Sequence, residues 1–132
     1  MKAIDTNALV RFLVRDDEKQ AQAIVRILRD AEKKGDAVFL PVSVILETIW
    51  VLSSVYQYET RDIVRALDHL LAMPLFEIEA RDRVATLCHI AGGSDADLAD
   101  LLIGLTSRDF GCETTLTFDR KAAKSGLFTL IT

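Results

Sequence analysis

The stretch Asp97–Ala122 reads DLADLLIGLTSRDFGCETTLTFDRKA, and its punctuation decides the fold. Leu98, Leu101, Leu102 and Leu105 recur at the 3–4 spacing of one buried helix face, so a helix is expected over 95–109. Asp97 and Asp100 open that helix three residues apart and share its other face. Gly104, one turn beyond Asp100, is read as leaving the acidic face uncrowded. Gly111 closes the helix. A strand-like run follows over 113–118, then Asp119, then a short helix over 120–125. Helix, stop, strand, acid and helix in that order form a repeating unit of an α/β fold.

Working outward, the rest of the chain repeats this alternation. Residues 2–5 read as a short buried strand and 7–14 as a helix. A second helix, 17–34, places Ala21, Ile24, Val25, Leu28 and Ala31 on one face and ends at Gly35. Val38–Leu40 is a second strand. Ser43 is the expected N-cap of a helix reaching about Tyr56, apolar nearly all round and therefore covered on more than one side. Thr60 is the expected cap of the next helix, which carries Ile63, Ala66, Leu67, Leu70 and Leu71. Leu75–Ile78 alternates like a strand, 80–91 is a helix closed by Gly92-Gly93, and 127–131 is a last strand. Short strands separated by helices predict a mostly parallel central sheet of about four to five strands, with helices on both faces.

The 132 residues amount to a single domain, 1–132, and half of them are hydrophobic, enough for one core. There is no basic-then-apolar leader and no apolar run long enough for a membrane span, so a cytoplasmic protein is expected. Cys88 and Cys112 form neither C-x-x-C nor a zinc pattern and read as reduced thiols. The net charge of −4 argues against bulk electrostatic binding of nucleic acid. A metal-loaded acidic site would reverse its local sign.

Four acids stand where an α/β fold does its chemistry. Asp5 and Asp119 follow strands, at the sheet edge where such folds bind ligands. Glu47 interrupts the apolar helix after the second strand, and Asp100, with Asp97, opens the helix described above. Each acid also has a structural explanation. Asp5 and Asp119 suit N-caps, Asp97 and Asp100 suit a helix N-terminus, and Glu47 suits a solvated face. Folding does not require acids at all these places, whereas a hard divalent cation bound through oxygen would.

These residues resemble the PIN-domain nucleases, in particular the VapC-type toxins of bacterial toxin–antitoxin operons. The resemblance rests on Asp5-Thr6-Asn7 after the first strand and Glu47 in the helix after the second. It rests further on Asp97-Leu98-Ala99-Asp100-Leu101-Leu102, and on Thr117-Phe118-Asp119-Arg120 after the Gly111-Cys112-Glu113 turn. It implies a three-layer fold, a Mg²⁺- or Mn²⁺-dependent endoribonuclease, an RNA substrate, a small antitoxin partner and a homodimer.

On that reading the catalytic acids are Asp5, Glu47, Asp100 and Asp119. Asp5 and Asp100 are the main metal ligands; Glu47, Asp119 and Asp97 contribute directly or through water. Carboxylates suit Mg²⁺, and one or two such ions lower the pKa of an attacking water and stabilise a leaving oxygen. Thr6, Asn7 and Thr117 would hold the carboxylates in register. Arg120, Lys121, Arg11 and Arg15 are candidate contacts for RNA phosphates, with solvated charge as the ordinary alternative. Trp50, Tyr56 and Tyr58 cluster at one helix end, either in the core or at an antitoxin or subunit contact. A non-toxin RNA-processing nuclease and a catalytically silent PIN-like binding module remain alternatives. A HAD-type phosphatase is disfavoured because it needs a second Asp where Asn7 stands. A dinucleotide-binding domain is disfavoured because no G-x-G-x-x-G follows a strand.

Overall fold

A computed structural model describes all residues 1–132. The element order is β1 (Lys2–Ala3), α1 (Thr6–Val14), α2 (Glu18–Lys33), β2 (Val38–Leu40), α3 (Val42–Ser54), α4 (Thr60–Ala72), β3 (Phe76–Ile78), α5 (Arg81–Ile90), α6 (Leu98–Phe110), β4 (Thr115–Thr117), α7 (Arg120–Ala123) and β5 (Phe128–Leu130). A single 3-10 turn, Ala91–Gly93, extends α5 to the Gly-Gly break. Every strand pairing is parallel, and helices connect and flank the strands, as expected of an α/β fold.

The strands do not form one ladder. β1, β2 and β3 make a three-stranded sheet in that order, and β4 and β5 make a separate pair. β1 supplies only Lys2 and Ala3, in register with Val38 and Phe39.

The core is built from the apolar helix faces and from strands β2 and β3. Leu9, Leu40, Ile45, Ile49, Leu52, Leu67, Leu70, Leu87, Leu101, Leu102 and Leu105 are essentially inaccessible. α3 meets α1, α4 and α6, so its near-continuous apolar character is explained by cover on several sides. Trp50 is nonetheless exposed on that helix. Its neighbour Tyr56 is half-buried and accepts from Arg11 Nη1 at 3.1 Å while its hydroxyl donates to Asp16 at 2.7 Å. Both cysteines are free thiols, and burial, with Asp68 adding to it, pushes Cys88 up to about 12.

Three local readings are corrected. Ser43 does not cap α3: the cap position is Pro41, and the Val42 N–H donates to Glu79 Oε1 at 2.7 Å. A carboxylate from the end of β3, close in space and far in sequence, does the work expected of a local hydroxyl. Thr60 is the first residue of α4, with Glu59 at the cap position and no side-chain capping bond. Gly104 does not relieve the acidic face. A Cβ there would come within 2.8 Å of Phe128 Cε2 and 2.9 Å of Leu127 Cβ, so its smallness lets β5 pack on α6.

Candidate metal centre

Asp5 leaves β1 with extended backbone and caps α1, Oδ1 accepting from the Ala8 N–H at 2.9 Å. Asp119 leaves β4 and caps α7, Oδ1 accepting from Lys121 N–H at 2.8 Å and Ala122 N–H at 3.2 Å. Both structural explanations are therefore realised, yet they do not exhaust the carboxylates. In each, Oδ1 is fixed by backbone and Oδ2 has no hydrogen bond within the chain. A carboxylate anchored through one oxygen presents the other in a defined direction, as a metal ligand requires.

Asp97 occupies the cap position of α6 but makes no side-chain capping bond, and it is exposed. Asp100 follows one turn later and is half-buried. Its pKa is raised above the ordinary carboxylate value, by burial first, then by the charge of Asp97, then by that of Asp119. Burial removes water from the charged form, and two like charges disfavour it further. The i, i+3 spacing on α6 accounts for Asp97. Asp119 acts on Asp100 from a different element, across the chain reversal at Gly111, whose φ of +109 ends α6.

Asp97 and Asp119 are thus the two charges that act on Asp100. Asp5 and Glu47 do not figure among the charges acting on Asp100. As the side chains stand, no three of the His, Cys, Asp and Glu residues form a ligand group for an ion. The donor chemistry still fits a hard divalent cation: every candidate is a carboxylate. Glu47 is exposed on α3 beside Thr48, which is fully buried with an unpartnered Oγ1.

Among the supporting residues, Thr117 Oγ1 accepts from the Asp119 N–H at 3.0 Å, so it orients that acid as an acceptor rather than a donor. Thr6 is buried at the start of α1. Asn7 lines a shallow hollow between α1 and α2 with Arg11, Gln20 and Ile24.

The basic candidates divide into two groups. Arg11 is committed to Gln20 at 2.8 Å, Asp16 at 3.2 Å and Tyr56, and Arg15 pairs with Glu18 at 2.9 Å. Arg120 and Lys121 are exposed and have no ion pair. Sequence reasoning missed Glu79. Its only signal was an acid directly after a strand, the same signal that marked Asp5 and Asp119. Its effect is to fix the start of the helix that carries Glu47.

No helix is long and apolar enough to cross a membrane. No solved structure gives a significant match to the chain. A VapC ribonuclease of Aquifex aeolicus (strain VF5) is 26% identical over 130 residues, covering 98% of this chain and 96% of that protein. The family profile described as PIN domain matches residues 2–126, a span that takes in Asp5, Glu47, Asp97, Asp100 and Asp119: the chain belongs to the PIN-domain family.

Proposed function

We propose that this chain is a divalent-metal-dependent endoribonuclease that hydrolyses RNA phosphodiester bonds, acting as the toxin of a toxin–antitoxin pair. The observation that carries the reading is the pair Asp5 and Asp119, each leaving a strand with Oδ1 held by backbone N–H groups and Oδ2 free of any hydrogen bond within the chain, in a chain whose residues 2–126 match the PIN-domain profile. Asp97 and Asp119 also disfavour the charged form of half-buried Asp100, a repulsion that a bound cation offsets. Near full-length similarity to a VapC ribonuclease supports the same activity; the small antitoxin partner, the homodimer and the cytoplasmic setting are proposed with it.

Asp5 and Asp100, with Asp119, Asp97 and Glu47 directly or through water, would hold Mg²⁺ or Mn²⁺, which when bound would supply charge neutralisation and lower the pKa of an attacking water. The chain's own residues do the rest. Backbone donors at the starts of α1 and α7 hold Asp5 and Asp119 in fixed orientations. Glu47 orients the attacking water. Arg120 and Lys121 offer their charges to the phosphates on either side of the scissile bond.

The test is cleavage of single-stranded RNA by the purified chain with Mg²⁺ or Mn²⁺. Activity is expected to stop with chelator and in Asp5→Asn, since an amide lacks the charge a ligand needs. Wild-type cleavage by Asp5→Asn would overturn the assignment.

A further inference from the structure

The small β4–β5 sheet has one face inside and one outside. Phe128 is buried, whereas Leu116, paired with Thr129 across the ladder, is 65% exposed. Phe118 directly follows β4 and Ile131 directly follows β5, where the Ile131 N–H donates to the Thr117 carbonyl at 2.7 Å, so the pairing runs on past the strand ends. Phe118 is 79% exposed and Ile131 39%. Exposing a phenylalanine ring forfeits about 1.5–3 kcal/mol of burial, so a cluster of such side chains marks a contact surface.

Three observations bear on the occupant. Phe118 immediately precedes Asp119, the acid that caps α7. Arg120, Lys121 and Lys124 follow it, exposed and unpaired, in a chain of net charge −4. An aromatic face flanked by free cations is the arrangement that holds single-stranded nucleic acid, the ring stacking a base while the cations take the phosphates. We propose that Phe118 is a stacking platform for one unpaired base of the RNA substrate, next to the scissile phosphate, with Leu116 and Ile131 as its apolar apron. This rests on the ribonuclease reading and deepens it: it assigns one base of the substrate a named contact, which any base can make because every base has a π-face.

Two measurements test it. In steady-state cleavage of a single-stranded RNA, Phe118→Ala should raise KM about 5- to 150-fold, equivalent to the roughly 1–3 kcal/mol of one stacked base, with little change in kcat. Phe118→Trp should restore the wild-type KM. Phe110→Ala, which removes an equally exposed ring at the far end of α6, should leave it unchanged. In a separate anisotropy experiment with chelator, a labelled single-stranded RNA should bind Phe118→Ala more weakly than wild type by a similar factor. An abasic nucleotide at one position of that RNA should erase the difference between the two proteins.

Equal KM and equal RNA binding in wild type and Phe118→Ala would overturn the platform even if metal-dependent cleavage is intact. If the wild type cleaves nothing, the binding arm alone decides it: weaker binding by Phe118→Ala upholds a platform for unpaired bases, and equal binding overturns it. Sedimentation shows whether the patch instead seats a second copy. A lower mass for Phe118→Ala than for wild type would assign it to a subunit interface and overturn the proposal.

Discussion

At the scale of the residue, Asp100 sets function against stability. Its carboxylate is partly buried and faces Asp97 and Asp119, so its folded-state pKa lies above its unfolded one. The sign of the linkage follows. Below the unfolded value, near pH 3.9, the group favours the fold fully; that contribution is lost as pH rises through the raised folded value and stays lost above it. Metal-free protein is therefore strained here at neutral pH. Asp100→Asn, which keeps the shape and removes the charge, should melt above wild type at pH 7 in chelator. Each kcal/mol relieved is worth about 4 °C at this chain length. The advantage should shrink toward zero as both proteins are melted at pH values well below the unfolded value, where the wild-type group is protonated in both states. A mutant that melts lower at pH 7 would show that the carboxylate serves the start of α6 rather than a ligand site.

At the scale of the element, α6 and β5 show how far a sequence can be read. The leucine stripe of α6 was legible because a 3–4 repeat has one structural meaning, and all four leucines are buried. The role of Gly104 was not, because it depends on Leu127 and Phe128, which only the folded chain brings against it. Ala in place of Gly ordinarily stabilises a helix interior by up to about 1 kcal/mol. Here the added methyl meets atoms at 2.8 and 2.9 Å, one of them a Cβ that moves only with its backbone. Gly104→Ala is therefore expected to destabilise by about 1–3 kcal/mol, the usual cost of overpacking, measured as a lower urea midpoint with an unchanged m-value. A stabilised variant would show that β5 yields easily. The same limit explains the start of α3, where Ser43 looked like the cap and Glu79 supplies the acceptor. It also explains Arg11, whose hydroxyl partner Tyr56 lies 45 residues away. Acids at strand ends could be found by sequence, since the chain must turn from strand to helix there. Which of them face one another could be read only for Asp97 and Asp100, which share a helix.

At the scale of the whole molecule, the proposed ligands belong to different parts of the fold. Asp5 follows β1 of the three-stranded sheet, Glu47 lies in α3, Asp100 in α6, and Asp119 follows β4 of the two-stranded sheet. No strand-to-strand ladder ties the two sheets. A cation drawing on Asp5 and Asp119 would link them, and its binding energy would appear as stability of the junction. At about a hundred times its dissociation constant, a ligand that binds only the folded state stabilises it by roughly 2.7 kcal/mol. Two readouts are expected to move together. The melting temperature of wild type should rise by about 10 °C between chelator and excess Mn²⁺. Amide exchange in β4 and at the start of α7 should slow on adding Mg²⁺, because these segments are the ones drawn against the larger sheet. Asp5→Asn and Asp100→Asn should each lose most of both effects. A metal-induced shift of wild-type size in both variants would show that the cation binds elsewhere. A shift without protection in β4 would show that Asp119 takes no part, and the site would then belong to the three-stranded half and α6 alone.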